Sequence, residues 1–434
     1  MKEKDPIKTL QDNVEIPGVV QNKIDGTLLK IKGEANNSKI VAYSNKEAKT
    51  AIKNGKRRFG MVAAIAALVI TTVSVGAAVY RNWSKGLEEA LHVTEEQKAK
   101  LEENKTTTIM DQGSTDSNGT DQGNTDQVIT NQVATDQGIT ITAIQSITDN
   151  YYTYIAFKVE GFEVADDEEP FFEETSATVV GDDNDQTTAE GGFYDGLVTG
   201  PNGNVTNADG TPIGEDENGR MITHYKQADG SLEYHLTIRN SEMGKGYLIN
   251  KKVHIEFDNL GTVEKAEYFN RVTGKWTFDI DLRGSDETRV ATVNVPLDDT
   301  GATVIGAEIS PISIGATYNF PYQTRTEELP EDEAKAQAEA EGVDVSEIET
   351  IFEVPTYPPD LMGVKMKDGT LYPYLYMGPG SMGYTDENPD VCYTRFAIDR
   401  ILDPSQVEAL LFFKSYAGDG IVPTEDNFYV VPIS

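Results

Sequence analysis

The sequence predicts a mainly β protein with one transmembrane helix, a flexible stalk, two immunoglobulin-like β-sandwich domains and a short helical cytoplasmic arm. Three observations predict this layout. An uncharged run occupies residues 59–80, a five-residue unit repeats within 111–138, and apolar residues alternate with polar ones from Ile139 onward. The predicted boundaries are an arm at 1–58, a transmembrane helix at 59–80, a juxtamembrane helical segment at 81–110, a pentapeptide-repeat linker at 111–138, and β-sandwiches at 139–285 and 286–434.

The charge balance excludes broad nucleic-acid binding. The 434 residues include 37 Lys and Arg against 72 Asp and Glu, a formal net charge of −35. Recognition of phosphates needs a basic surface, so no direct nucleic-acid partner is expected. Residues 1–58 nevertheless carry a net charge of +6, which leaves −41 for the remainder. The single Cys392 excludes an intrachain disulfide and a cysteine-based zinc site.

The run from Phe59 to Tyr80 contains 22 residues without a charged side chain. As a helix it spans roughly 33 Å, which matches a hydrocarbon core of about 30 Å. Six basic residues lie between Lys46 and Arg58, whereas Arg81 and Lys85 follow the run. By the positive-inside rule, the amino terminus is expected in the cytoplasm and the carboxy terminus outside the cell. A cleaved signal peptide and a buried core helix are the alternatives, although the preceding 58 residues exceed a signal n-region.

Residues 17–31 of the arm have helical periodicity. The apolar side chains recur at i, i+4, i+8 and i+11 and form one stripe: Val20, Ile24, Leu28 and Ile31. The arm is too short to cover this stripe with a core of its own, so we expect it to bind a protein partner. Association with the inner leaflet and no specific role are the alternatives. The basic run before the span is expected to contact membrane lipid.

The segment after the span predicts helices and then a tether. Trp83, Leu87 and Leu91 have helical spacing, and Thr94 to Gln97 has the form of a capping box. From Asp111 onward, units such as Asp-Gln-Gly-Ser-Thr repeat every five residues. The first three units contain no apolar side chain, so the repeat is expected to be a flexible spacer between the membrane and the ectodomain.

A period of two begins at Ile139 and predicts half-buried antiparallel strands. Trp276, Phe278, Ile280 and Leu282 are expected in a core, with the residues between them facing water. A second cycle of strands begins near Arg289, and the strand count favours two sandwiches.

The sequence contains no signature of an enzyme, and we expect no catalytic residue. The nucleophile elbow, the phosphate-binding loop and the zinc-protease helix are all missing. His224, His235 and His254 are expected to be surface or core histidines, and Cys392 a small buried residue. The acidic loops at 166–169 and 182–185 lack the spacing of a calcium loop, so no metal or other cofactor is expected.

Several motifs together resemble a known family. They are Asn82-Trp83-Ser84-Lys85-Gly86-Leu87, Val93-Thr94-Glu95-Glu96-Gln97-Lys98, and Gly138-Ile139-Thr140-Ile141 leading to Asp149. They resemble single-pass membrane proteins of Gram-positive bacteria that have an uncharacterised extracellular domain. Such proteins are often encoded beside extracytoplasmic-function sigma factors and are regarded as their anti-sigma factors. The resemblance covers about residues 10–160, and more loosely the later part of the chain that includes Ile309-Ser310-Pro311-Ile312-Ser313.

The resemblance implies a regulatory transducer. Its arm would sequester a sigma factor, and its ectodomain would respond to an unknown extracellular ligand or protease. A surface-exposed binding or adhesion protein, whose arm serves only as an anchor, is the alternative. A hydrolase with paired carboxylates is a third hypothesis, and it would require an open cleft.

Overall fold

The computed structural model describes residues 83–110 and 133–433, apart from short internal gaps. The gaps are 167, 183–184, 201–202, 216–220, 241–243, 265–266, several positions between 332 and 349, 376–377, 379, 386–387 and 419–420. The predicted arm, the predicted transmembrane helix and residues 111–132 of the predicted linker lie outside the described residues. Within the described residues, no helix combines the length and the apolar character needed to cross a membrane.

The prediction of a mainly β protein is confirmed, with several antiparallel sheets and few helices. The α-helices whose bounds the structure describes are α1 (Lys85–Ala90) and α2 (Glu95–Glu103), and residues 331, 334, 335 and 338 are also helical. Single 3-10 turns lie at Asp298–Thr300, Val345–Glu347, Pro404–Gln406 and Glu425–Asn427. The strands up to residue 281 are β1 (Thr107–Ile109), β2 (Val133–Asp136), β3 (Ile139–Thr148), β4 (Tyr152–Glu160), β5 (Glu169–Val179), β6 (Thr187–Phe193), β7 (Leu197–Thr199), β8 (Val205–Asn207), β9 (Leu232–Asn240), β10 (Lys252–Glu264) and β11 (Glu267–Asp281).

The remaining strands follow residue 288. They are β12 (Arg289–Pro296), β13 (Thr303–Ile309), β14 (Ser313–Asn319), β15 (Thr324–Glu328), β16 (Ile351–Pro355), β17 (Leu361–Met366), β18 (Leu371–Tyr372), β19 (Gly380–Thr385), β20 (Asn388–Ala397), β21 (Val407–Phe413) and β22 (Phe428–Pro432). No sheet contains strands from both groups within the described part of the chain.

Four of the sheets form two pairs. Sheet I has the order β1-β3-β4-β9-β6, with β2 also paired to β3, and sheet II has the order β11-β10-β5. Sheet III has the order β12-β13-β14-β20-β19, and sheet IV has the order β18-β17-β21-β22. We call sheets I and II the N-terminal sheet pair, and sheets III and IV the C-terminal sheet pair. Two-stranded ribbons, β7-β8 and β15-β16, accompany them.

Each sheet pair shares a hydrophobic core. In the N-terminal sheet pair, the ring centres of Phe157 of β4 and Phe257 of β10 lie 5.0 Å apart in an edge-to-face contact. Trp276 is fully buried and donates its indole N–H to the Ile139 carbonyl at 3.2 Å. In the C-terminal sheet pair, the ring centres of Tyr318 of β14 and Phe412 of β21 lie 5.6 Å apart. The predicted core residues Trp276, Phe278, Ile280 and Leu282 are all buried, which confirms the inward face of that strand.

Sheet I departs from the sequence-based expectation because it is buried on both faces. Strands β3, β4 and β9 have few exposed residues, although their alternating pattern predicts one face in water. The second face carries both polar and apolar side chains with little exposure: Thr142, Gln145, Glu233, His235 and Thr237, together with Ile147, Tyr152, Tyr154 and Ala156. The prediction of half-buried strands is therefore wrong here, because other parts of the chain cover this second face.

The pentapeptide repeat is connected differently from the predicted tether. Strand β1 pairs with β3 through Ile109 and Gln145, and the Met110 amide donates to the Ile144 carbonyl at 2.8 Å. Strand β2 pairs with the next part of β3, with Val133 opposite Thr142. Residues 111–132 thus leave and rejoin the same sheet at neighbouring positions. Residues 111–132 are therefore an insertion in the edge of sheet I, between β1 and β2.

The predicted boundary between linker and first sandwich is also corrected. Residues 133–136, assigned to the linker, form strand β2. Gln137 and Gly138 then turn the chain with φ of 49° and 83°, the left-handed values that a tight hairpin turn needs. Likewise, β1 within the predicted juxtamembrane segment 81–110 is a strand of sheet I.

Replacing residues 111–132 by one residue should leave the fold intact. One position, opposite Ala143, separates Met110 from Val133 along β3. A shorter loop also costs less closure entropy, so we expect an unchanged or higher urea midpoint. Circular dichroism of the full chain and of the deletion variant measures this. Loss of the β signal in the deletion variant contradicts the described register.

Candidate functional site

The site residues predicted from the sequence lie in the arm. Val20, Ile24, Leu28 and Ile31 fall outside the described residues. A region of the described residues where several distant parts of the chain meet lies instead where α1 and α2 contact the two sheet pairs. We call this region the junction.

The helical hairpin, residues 84–103, is built by local signals. The Ser84 hydroxyl accepts the Leu87 amide at the start of α1, and Thr94 forms a reciprocal capping box with Gln97 at the start of α2. Between the helices His92 has φ of 50°, a left-handed value that reverses the chain. The capping box was predicted from the sequence and is confirmed.

Lys98 ties the two helices together. Its ammonium group lies 2.8 Å from Glu88 of α1 and 2.7 Å from Glu95 of α2. The amine also lies 5.7 Å from the centre of the Trp83 ring, whose N–H donates to Glu102 at 2.9 Å. Because Lys98 is buried, the two carboxylates are needed to stabilise its positive charge away from water.

Glu233 of β9 binds the first turn of the hairpin to sheet I. Its carboxylate accepts the Gly86 amide at 3.1 Å, the Leu87 amide at 3.0 Å and the Ser84 hydroxyl. His235, two residues along the same strand face, lies 2.7 Å away through Nε2. Burial alone would raise the pKa of Glu233, but the hydrogen bonds from His235, Ser84 and Gly86 lower the pKa below its usual value. Glu233 is therefore a buried carboxylate that serves as an N-terminal cap from another element.

The second helix binds the C-terminal sheet pair. The Gln97 side chain donates to the Ile401 carbonyl at 2.8 Å, and the Lys100 amine lies 2.8 Å from Asp403. Asn104, just after α2, donates to Glu287 in the segment that connects the two sheet pairs. The hairpin therefore contacts both sheet pairs and the connection between them.

Asp149, in the turn between β3 and β4, joins the sheet pairs directly. One carboxylate oxygen accepts the amides of Tyr151 and Tyr152 at 2.8 and 2.9 Å and so fixes the turn. The other oxygen accepts the Ser313 hydroxyl at 2.6 Å and the Ile312 amide at 3.4 Å. Burial, the largest cause, raises the pKa of Asp149, while these hydrogen bonds oppose the shift.

A second polar contact lies beside Asp149. The Tyr151 hydroxyl donates to Glu308 at 2.6 Å, and Arg395 pairs with the same carboxylate. The Arg395 guanidinium also lies 3.7 Å from the centre of the Tyr151 ring. Tyr151 is in the N-terminal sheet pair and Glu308 and Arg395 are in sheet III, so these groups extend the contact between the pairs.

An apolar cluster completes the junction. It contains residues of the hairpin, of sheet I and of the C-terminal sheet pair: Leu87, Leu91, Val93, Leu101, Ile147, Tyr151, Tyr152, Tyr154, Ala156, Ile312, Ala397 and Ile401. Because all three parts contribute, removing one part exposes apolar surface on the other two. Burial of apolar surface contributes about 25 cal/mol per Å², so it favours the state in which the hairpin and the two sheet pairs are in contact.

Three ionisable residues lie where the hairpin turn meets residues 398–402. Asp399 and Arg400 are 1% and 5% exposed, and the Asp399 Oδ1 atom has no hydrogen-bond partner among the described residues. Burial raises the pKa of Asp399 to about 7, against the opposing effect of Arg400. Burial and the Arg400 charge lower the pKa of His92 to about 3. Both shifts favour the neutral side chain, as expected of groups enclosed at a contact.

The arrangement of Ser84, Glu233 and His235 is not that of a catalytic triad. In a triad the imidazole lies between the hydroxyl and the carboxylate, whereas here the carboxylate lies between the other two groups. Among the described residues, no three His, Cys, Asp or Glu side chains lie together in a way that could hold a metal ion. The polar and apolar contacts of the junction hold together the helical hairpin, the N-terminal sheet pair and the C-terminal sheet pair.

The motifs that carry the family resemblance meet at the junction. Ser84, Gly86 and Leu87 bind Glu233, Gln97 binds Ile401, and Asp149 binds Ile312 and Ser313. Sequence reasoning identified these motifs but did not identify Glu233 or Arg400. The available signal was the spacing of Glu233 and His235, which places both on one face of a strand. Cys392 is buried, as predicted, and His235, expected either at the surface or in a core, is also buried. His254 contacts Asp279 at 2.8 Å on sheet II.

Comparison with models of protein families finds no match for this chain. Comparison with curated protein sequences also finds no match. Among solved structures, the chain is similar to the crystal structure of a conserved domain protein from Bacillus anthracis. The identity is 10% and the TM-score is 0.34, over 69% of this chain and 84% of that chain. A similarity of this degree supports no inference about fold or function.

Substituting Glu233→Gln should destabilise the hairpin by about 2 kcal/mol at neutral pH, because a buried charge-assisted acceptor is lost. The folded-state pKa of Glu233 is lowered, so its stabilising effect is present above the ordinary pKa of 4.5 and is lost as the pH falls below it. The difference between wild type and variant should therefore shrink in acid. Urea unfolding at pH 7 and pH 4 measures it. Glu96→Gln, on the exposed side of α2, is the matched control, and equal midpoints for all three proteins at pH 7 contradict this role of Glu233.

Proposed function

We propose that this chain is a single-pass membrane regulatory protein of the anti-sigma type. Residues 59–80 would cross the membrane with the amino terminus in the cytoplasm. The arm would sequester a sigma factor through Val20, Ile24, Leu28 and Ile31. The two sheet pairs, interpreted as immunoglobulin-like β-sandwiches, would lie outside the cell and respond to a ligand or protease of the envelope.

One observation supports this proposal above the others. Trp83, three residues after the predicted span, directly precedes the helical hairpin, which packs into the contact between the two sheet pairs. A protein that only displayed a binding domain would need no such contact, because any flexible tether would anchor it. The direct connection favours a function in which the state of the ectodomain matters at the membrane.

The connection also changes the mechanism expected from the sequence. A flexible spacer of some 30 residues cannot transmit a rigid-body change. Because the repeat is an insertion in sheet I and the hairpin follows the predicted span directly, a rearrangement of the ectodomain can act on the membrane segment through the hairpin. Proteolysis is then not required to explain coupling, although an exposed hairpin would also be a protease substrate.

The full chain, solubilised from membranes in mild detergent, should capture a sigma factor, and Ile24→Asp with Leu28→Asp should abolish the capture. The apolar stripe cannot bury two carboxylates in a partner groove. The matched control is Asn22→Asp with Gly26→Asp, which adds the same charge at the same spacing on the opposite face of the predicted helix. Mass spectrometry of the captured proteins provides the measurement.

Capture that is lost in both double variants indicates a charge effect and removes the proposed binding stripe. Failure of the wild-type chain to capture a sigma factor contradicts the anti-sigma proposal. The surface-binding function would then be the preferred hypothesis.

A further inference from the structure

The helical hairpin binds the two sheet pairs through separate sets of residues. Its first turn binds Glu233 of sheet I. Its second helix binds the Ile401 carbonyl and the Asp403 carboxylate beside the C-terminal sheet pair. Both sets form together only while the two sheet pairs keep their relative position. That position is the one fixed by the contact between Asp149 and Ser313.

The hairpin has little stability of its own. Its helices have 6 and 9 residues, and isolated helices shorter than about 12–15 residues are marginal in water. Leu87 and Leu91 are fully buried, and they are covered by sheet I and the C-terminal sheet pair. An undocked hairpin would expose these side chains and lose its external cap. Docking is therefore close to an all-or-none event.

We propose that docking of the helical hairpin is coupled to the relative position of the two sheet pairs. A change at the contact between the pairs then releases the segment that follows the predicted span. The coupling itself involves only the hairpin and the two sheet pairs. The inference rests on the proposed function only where it links the coupling to a signal at the membrane. By linkage, whatever weakens the contact between the pairs weakens docking, and a ligand that stabilises the contact stabilises docking.

The coupling predicts an effect at a distance from the substituted residue. Ser313→Ala and Asp149→Asn both weaken the contact between the sheet pairs, and both residues lie outside the hairpin. Ala90→Cys places a thiol on α1, where Ala90 is 2% exposed and packs against Tyr194 and Val198. In the full chain in detergent micelles, alkylation of the introduced thiol reports undocking.

Either substitution at the contact should accelerate alkylation by at least about tenfold. Ser176→Ala, an exposed position of β5, is the matched control and should leave the rate unchanged. Glu96→Cys, on the exposed side of α2, gives the rate for an accessible thiol. The native Cys392 is fully buried in the C-terminal sheet pair, so its lack of alkylation shows that this pair stays folded.

Tyr151→Phe is a milder variant that removes only the hydroxyl contact to Glu308. It serves if the other two variants unfold, and it should accelerate alkylation by a smaller factor. A variant that lowers the urea midpoint but leaves alkylation at position 90 within about twofold of the parent contradicts the coupling. The coupling is equally contradicted if the variants change neither quantity, because the contact would then not determine the arrangement. Sigma-factor capture is a separate measurement, so failure of one proposal is distinguishable from failure of the other.

Discussion

The arrangement of this protein depends on the buried carboxylate of Asp149. Its two oxygens accept hydrogen bonds from its own turn and from residues 312–313. A buried carboxylate without donors is strongly unfavourable, so the turn and the C-terminal sheet pair must be in place together. Asn150, the next residue, donates to the Asp286 carbonyl in the connecting segment. One turn thus determines the position of both the following sheet pair and the chain that leads to it.

The second face of sheet I is buried because the hairpin and the C-terminal sheet pair both pack against it. The hairpin and the C-terminal sheet pair cover side chains such as Gln145, Glu233 and Thr237, which elsewhere would face water. Their hydrogen bonds select particular partners, because a shifted hairpin would leave Glu233 without its donors. Apolar burial at the junction supplies stability, and the polar face supplies specificity of position. With both kinds of interaction in one place, the contact between the hairpin and the two sheet pairs is expected to form or break as a whole.

Sequence reasoning identified the elements better than their assembly. The period of two identified the strand that contains Trp276 and Phe278, and the capping box at Thr94 identified α2, because both signals are local. The pairing of β1 with β3 is long-range and leaves no local signal, and the short hairpin of β2 with β3 falls within the repeat, so the repeat was interpreted as a tether. Glu233 was missed because an acidic residue in a strand is expected to face water unless the covering element is known. The relative placement of two sheet pairs is a property of tertiary contacts that periodicity does not encode.

The central claim is that the hairpin and the two sheet pairs form one cooperative unit at the junction. Native-state hydrogen exchange of the full chain tests it through three amides. The Leu87 amide binds Glu233, the Tyr152 amide binds Asp149, and the Ile398 amide binds the Ile312 carbonyl at 3.0 Å. The account predicts that the three amides exchange through a common opening with similar free energies. Rapid exchange of Leu87 while Tyr152 and Ile398 stay protected would contradict it.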